Sequence, residues 1–336
     1  MPALVELEPE DLPLTGYRKS QLAHAIYVRG VRELSEVTDL PTETREELAR
    51  TYRLHAIESA RVFTSQDGSV KYLFNLADGA ATEAVYMPYQ NRRTVCLSSM
   101  VGCSAGCVFC ASGSLGFGRN LSAGEIIDQL LWIASDQGLR PGEIQNVVLM
   151  GMGEPLLNWR EVHSALKRFT SEAGLAFSPR RLTLSTVGIP KGIRSLAQTA
   201  IPVRLALSLH GPDDATRAAI IPTARRFSIT EILAAVQEYQ TATGRRVSLE
   251  YTLLQDLNDS PTQARALARI ARELGAHVNL IPFNSWSGAP VTGTPKSGIM
   301  AFAQVLESAR VRTSVRWSRG QDVGAACGQL ALQVPS

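Results

Sequence analysis

Residues 94–110 read Thr-Val-Cys-Leu-Ser-Ser-Met-Val-Gly-Cys-Ser-Ala-Gly-Cys-Val-Phe-Cys, which places cysteines at Cys96, Cys103, Cys107 and Cys110. The opening of this stretch is strand-like and the glycines behind it open a loop, so a β-strand at 94–98 is expected to run into a polar turn. The rhythm then repeats. A helix is expected at 123–137, a strand at 146–150 and a helix at 160–172. Strands at 181–185, 203–208, 247–253 and 277–281 alternate with helices at 190–198, 229–241, 261–274 and 296–309, and a last strand falls at 313–315. Such alternation implies right-handed crossovers and a parallel sheet. Six units of this kind curl into an incomplete (β/α)6 barrel or lie as an open doubly wound sheet. The polar motifs favour the barrel: 103–110, 151–154, 185–186, 208–210 and Asn284 each follow a strand. The C-terminal rim is where such barrels carry their active sites.

Upstream of residue 93 the pattern differs. The first 66 residues look helical, with Leu22, Ile26 and Val31 marking one segment and Leu48, Tyr52 and Ile57 another that opens at Pro41 and Thr42. Residues 67–92 form a β-rich connector with strand-like runs at 70–76 and 84–87. The barrel is assigned to 93–318 and a C-terminal segment to 319–336. The chain has 336 residues, 45% hydrophobic and 19% charged, with a net charge of +3. That composition excludes disorder as the main state and supplies apolar mass for about two domains. No run approaches the roughly 18 apolar residues of a membrane span. The acidic start, residues 1–13, does not read as a secretory signal. These features predict a cytoplasmic protein with no membrane association. Only five of the 34 basic residues are lysines, and arginine is the side chain suited to phosphate and base contacts.

The five cysteines argue in the same direction. An odd number, with four inside fifteen residues, is not a secreted disulfide framework and points to thiols used chemically in a reducing compartment. Cys103, Cys107 and Cys110 form a C-x3-C-x2-C loop. Three thiolates on one short loop hold three irons of a [4Fe–4S] cluster and leave the fourth open, since full ligation takes four cysteines. Zinc is the competing reading, although no histidine sits at finger spacing nearby. A redox thiol pair would need only Cys107 and Cys110.

C-x3-C-x2-C after a first barrel strand resembles the radical S-adenosylmethionine (SAM) superfamily, and Gly151-Met-Gly-Glu-Pro155 is similar to its segment for the SAM amino group. Within it, the chain resembles the RNA adenine-C2 methyltransferases of the RlmN type. Segments 83–88, 96–110, 148–158, 182–188, 206–212, 250–256, 281–290 and 319–330 carry the likeness in order, across residues 80–330. Met100 and Ala111-Ser112-Gly113 depart from some members but lie outside the three ligand positions. The sister Cfr group methylates adenine C8 with similar motifs, so a C8 reading stays open, as does a zinc-stabilised RNA-binding module without catalysis.

The resemblance implies a mechanism. Adenine C2 carries only hydrogen on an electron-poor ring and has no lone pair to attack a sulfonium methyl, so a cofactor must supply radical chemistry. Cys103, Cys107 and Cys110 would hold the cluster, and SAM would chelate its open iron. Cys327 would be methylated by one SAM. A radical from a second SAM would take hydrogen from that S-methyl group, and the product would add to C2. Cys96 would then attack the Cys327 sulfur, form a transient disulfide and free the methylated base. Glu83 would accept the C2 proton. A free thiol with a pKa of about 8.5 is only about 3% thiolate at pH 7, so both cysteines call for local activation. Gly153 would admit the cofactor closely and Glu154 would accept from its amino group. Ser185, Ser208, Leu209 and His210 would line its ribose and carboxylate, and Asn284 would read its adenine edge. The implied substrates are an adenine in 23S rRNA, with an adenine in the tRNA anticodon loop as a second. The N-terminal helical region would position RNA. An electron donor such as flavodoxin is expected, as is a monomer. The target base must leave its stack to reach a buried centre.

Overall fold

The alternation of apolar strands with amphipathic helices sets the architecture that the computed structural model displays over residues 1–332. Twelve strands are present among these residues: β1 (Ile57–Thr64), β2 (Val70–Leu76), β3 (Ala81–Tyr89), β4 (Arg92–Cys96), β5 (Met100–Gly102), β6 (Phe117–Asn120), β7 (Asn146–Leu149), β8 (Leu182–Thr186), β9 (Arg204–Ser208), β10 (Ser248–Leu253), β11 (His277–Pro282) and β12 (Thr313–Val315). Ten of them form one sheet in the order β1-β2-β3-β4-β7-β8-β9-β10-β11-β12. From β4 onward every neighbouring pair is parallel. The outermost strands β1 and β12 do not pair with each other, so the barrel stays open. This is the incomplete (β/α)6 barrel expected from the sequence, with β12 as its closing edge.

The helices that cross over are α4 (Ala123–Asp136), α5 (Trp159–Thr170), α6 (Pro190–Ala197), α8 (Ile229–Thr243), α9 (Pro261–Glu273) and α10 (Lys296–Ser308), with α1 (Tyr17–His24), α2 (Thr42–Thr51), the single turn α3 (Ala111–Ser114) and α7 (Asp214–Ile220) besides. Three start on a serine whose side chain accepts the backbone N–H three residues on, while a Glu or Gln there reaches back: Ser122 with Glu125, Ser228 with Glu231, Ser260 with Gln263. Such boxes satisfy orphan donors and fix where each helix leaves its strand. The apolar faces bury Leu130, Phe169, Ile193, Val236, Leu267 and Phe302 against Val147, Leu184, Leu207, Leu249 and Leu280 of the sheet.

Two regions depart from expectation. The helical stretch ends at Thr51, and 57–64 is strand β1 rather than helix. β1 is an edge strand whose side chains are mostly exposed, so it lacks the apolar period by which a strand is read. Residues 57–89 are also continuous with the barrel rather than a separate connector. β1, β2 and β3 extend the sheet antiparallel, with Val85 opposite Cys96. The final turn of the chain then folds back, and Val323, Ala325 and Leu330 pack on Val85 and Met152.

Candidate active site

The polar motifs converge at the C-terminal ends of β7 to β11, on a cavity of roughly 940 Å³ counted with its open mouth. Its wall includes Cys103, Cys107, Cys110, Gly153, Glu154, Ser185, Ser208, His210, Asn284 and Cys327. Ten of the thirteen residues expected at the site thus meet in one place, although they are spread over 225 positions of the chain.

The cysteine loop is shaped by its surroundings. Gly102 takes a φ of +70°, and a Cβ there would fall 2.0 Å from the Gly116 carbonyl oxygen, so only glycine fits before Cys103. β5 and β6 form a small hairpin that brackets the loop. The Cys103 sulfur accepts the Ala105 N–H at 3.4 Å. Burial lifts the Cys103 thiol to about 11 and pushes Cys107 and Cys110 up as well; Cys110 adds to the shift of both others. Buried thiols crowded together resist ionisation, which the Arg217 charge eases only in part at Cys107, and a positive inorganic core reverses that preference. The donor set is soft, thiolate-only and three-cornered. It fits a [4Fe–4S] cluster with an open iron.

Glu154 is buried, and both carboxylate oxygens are held by backbone: Oε1 accepts the Leu156 N–H at 3.0 Å and Oε2 the Val187 N–H at 2.7 Å. Burial outweighs these bonds and raises its carboxyl to about 7. Gly153 has a φ of +107°, and a Cβ would meet the Ser99 hydroxyl at 2.7 Å. Ser185 and Ser208 share a hydrogen bond of 3.0 Å across neighbouring strands. His210 is held in the left-handed region at φ 51°, with Nδ1 accepting the Thr252 N–H at 2.9 Å. Burial and then Arg217 push its pKa down to about 3, so the ring is neutral and lies edge-on to Phe109 at 4.6 Å. Asn284 donates from Nδ2 to the Cys327 carbonyl at 2.9 Å and accepts from Gln321 at 2.8 Å. Its amide therefore holds the cysteine-bearing loop in this conformation.

Three expected residues stand outside the wall. Leu209 is buried in the main core, and its carbonyl accepts from Arg217. Cys96 is half-buried at the end of β4, beside the cluster of Val85, Met152, Val323, Ala325 and Leu330. Burial and then the neighbouring Cys327 thiol push Cys96 up to about 12, while Arg316 draws it down. Cys327 itself is exposed at the mouth. Glu83 is buried on β3; its carboxylate pairs with Lys71 at 3.1 Å and accepts the Leu332 N–H at 3.2 Å.

The sequence reading assigned no role to two wall residues that the structure brings beside the thiols. Arg316, one residue past β12, lowers the pKa of both Cys96 and Cys327 by its charge. Glu250 lies 3.6 Å from Arg316. It takes the Ser248 hydroxyl at 2.8 Å and the Asn279 amide at 2.9 Å on Oε1, while Oε2 has no hydrogen-bond partner among the described residues. Glu250 carried a signal, since a carboxylate in the middle of an apolar central strand is rare without a task. Arg316 followed the same rule as the other motifs, directly after a strand.

With this geometry in place, comparison with known proteins is informative. Residues 97–267 match the model of the radical SAM superfamily. A protein of Thermus thermophilus named "Probable dual-specificity RNA methyltransferase RlmN" is 64% identical over 332 residues, covering 99% of this chain and 94% of the relative. One of Syntrophobacter fumaroxidans named "Dual-specificity RNA methyltransferase RlmN" is 43% identical over 317 residues, with 94% and 92% covered. A crystal structure of a radical SAM methyltransferase from Sphaerobacter thermophilus superposes with a TM-score of 0.94 at 38% identity, covering 99% of this chain and 100% of that one.

Proposed function

The chain belongs to the RlmN family of RNA methyltransferases within the radical SAM superfamily, and on that premise we propose that its cavity methylates C2 of an adenine in 23S rRNA, and in the tRNA anticodon loop, using Cys327 as methyl carrier. The chain is a SAM-dependent enzyme of the [4Fe–4S] type. The observation that carries the finer reading is the meeting of two separate thiol sets on one site: Cys103, Cys107 and Cys110 on the wall, with Cys327 at the mouth and Cys96 close enough to feel its charge. A zinc-stabilised binding module has no use for the second set. The C8 alternative loses its footing because the full-length relatives carry the RlmN name.

When bound, the cluster supplies the electron that splits the SAM sulfonium and so delivers the radical the reaction needs. The chain's own residues do the rest. Cys103, Cys107 and Cys110 hold the metal centre. Glu154 receives the SAM amino group, and Ser185, Ser208 and neutral His210 line the remainder of the cofactor, with Gly153 giving it close approach. Asn284 serves two tasks, reading the adenine edge and positioning the Cys327 loop. Cys327 carries the methyl group on sulfur. Once that carbon is joined to adenine C2, Cys96 attacks the Cys327 sulfur as a thiolate: the disulfide forms, the sulfur–carbon bond breaks and the carbon left on the base takes a proton to become its methyl group, with nearby Arg316 favouring the thiolate against the burial that opposes it. Glu83 takes the C2 proton. It shares a face of β3 with Val85, the register partner of Cys96, and Lys71 supports its charge. Leu209 acts through its backbone, which fixes the turn leading to His210.

No helix among the described residues is long and apolar enough to cross a membrane. We place the enzyme in the cytoplasm, as a monomer reduced by a flavodoxin-like donor, with the N-terminal 1–56 region positioning RNA. The deciding experiment is anaerobic incubation of the iron-loaded protein with SAM, reductant and either a 23S rRNA fragment or tRNA, followed by nucleoside analysis. 2-Methyladenosine is the expected product. Formation of 8-methyladenosine, or of no methylated nucleoside by a fully loaded enzyme, would overturn the reading.

A further inference from the structure

The largest fully buried side chain in the molecule is a cation without an acid. Arg217, on α7, is 1% exposed, and no carboxylate among the described residues lies within salt-bridge distance of it. Its guanidinium instead donates to three carbonyls: Leu209 at 2.5 Å, Val187 at 2.6 Å and Ser208 at 3.4 Å. These oxygens belong to the ends of β8 and β9, where Ser185, Ser208 and His210 sit. Nε has no acceptor among the described residues. Isolated buried charges are costly, and in proteins they are paired or change protonation state. Burial draws Arg217 only to about 10, so it stays charged at neutral pH.

The missing negative charge is close at hand. α7 leans on the cysteine loop: the Ile220 carbonyl accepts the Val108 N–H at 3.0 Å, and Ile220 and Ile221 pack with Cys103, Ala105 and Cys107. A [4Fe–4S] core held by three thiolates carries net negative charge, which grows on reduction. We propose that Arg217 is the buried counter-charge of the three-cysteine centre, a positioning residue that holds its reduction potential up while tying the strand ends that face SAM. This rests on the cofactor assignment above. The alternative is a staple that joins β8 to β9 and has no electrical role. The two differ in what a neutral donor does there, because a fixed charge in a low-dielectric interior acts on a neighbouring charge more strongly than in water.

The test uses the full chain with its cluster reconstituted, without SAM or RNA. Iron and sulfide content of the parent comes first; a parent that takes up no cluster would sink the cofactor assignment and this inference with it, whereas loaded variants test the inference alone. The midpoint potential is then measured by redox titration monitored by electron paramagnetic resonance. Arg217→Gln and Arg217→Met should load iron and titrate at a more negative potential than the parent, and Arg217→Lys should return toward the parent value. Should one neutral variant fail to fold, the other decides, because a loaded protein with no charge at position 217 separates the two readings. Neutral variants with an unshifted midpoint and a lowered melting temperature would establish the staple and overturn the proposal. A Lys variant shifted as far as Gln would overturn it too.

Discussion

Cys96 and Cys327 carry the same functional group in opposite settings, one half-buried behind the wall and one exposed at the mouth. That difference matches the proposed order of events, in which the exposed thiol would meet SAM and RNA and the covered one would act after the carbon–carbon bond exists. Replacing Cys96 with alanine should therefore leave RNA joined to Cys327, visible as a band of raised mass on a denaturing gel, whereas Cys327→Ala should give neither crosslink nor methylated base. Free product released by Cys96→Ala would remove the resolving role. Glu154 makes a second prediction through its protonation. Its folded pKa, about 7, lies above the ordinary carboxyl value of 4.5, so the unfolded chain ionises first. Its contribution to stability consequently falls as pH rises between these values and is flat above. A cationic amino group prefers the ionised form. SAM affinity of the loaded enzyme should weaken as pH drops below about 7, by up to roughly tenfold per unit. Equilibrium dialysis across that range reads this directly, and Glu154→Gln should bind weakly with no such slope.

At the scale of elements, the joint between the N-terminal region and α4 is a buried acid. Asp128 takes the Ala56 and Ile57 N–H groups at 2.8 Å each on Oδ2 and the His55 ring at 2.5 Å on Oδ1. Burial pulls the His55 pKa down, but the Asp128 charge and hydrogen bond more than offset this, and the net shift is upward from 6.5. The pair therefore contributes stability that is full below 6.5 and lost as pH rises through the raised value. Denaturant midpoints should fall across that window in the parent and stay level in His55→Gln, while Asp128→Ala should cost about 3–5 kcal/mol by leaving buried donors unpaired. How far such elements were legible varies for physical reasons. Strand 146–149 and the crossover helices stood out because apolar residues recur on the faces they bury, and the half-buried strand 313–315 because it follows the last of those helices. The β5–β6 hairpin and α7 did not, since both are short and carry Gly, Asn, Thr and Arg in place of an apolar period. The site followed the same division. Motifs at strand ends were visible in sequence, whereas Arg217 was invisible, because its meaning lies in the absence of an acid in three dimensions.

Across the whole molecule, the open edge of the barrel is managed by residues 319–330 rather than by another strand. Arg319 donates to the Pro88 and Asp67 carbonyls, and Asp67 accepts the Gly320 N–H at 2.8 Å. Asp322 accepts the Ser65 hydroxyl at 2.6 Å and the Gln66 N–H at 3.1 Å. Beyond these anchors Val323, Ala325 and Leu330 cover Cys96, and the Ser112 hydroxyl donates to the Leu330 carbonyl at 2.6 Å. The strap thus does two things at once: it aims Cys327 at the mouth and shields Cys96. Gly324 and Gly328, both at positive φ, bound the short loop between its fixed ends. Because Ser65, Gln66 and Asp67 on the β1–β2 turn, and Asp322, do not line the cavity, these anchors should be separable from metal and SAM binding. Removing both acids, as Asp67→Ala with Asp322→Ala, should raise the share of molecules with the strap open by about three- to tenfold, since exposed polar contacts contribute little singly and more as a set. Alkylation of Cys96, followed by mass spectrometry, should quicken by that factor while iron content and SAM affinity hold at parent values. Methyl transfer to RNA should fall at the same time. Were Cys96 labelling unchanged and transfer intact, the strap would be a passive edge cover, and the positioning of Cys327 would have to come from Asn284 alone.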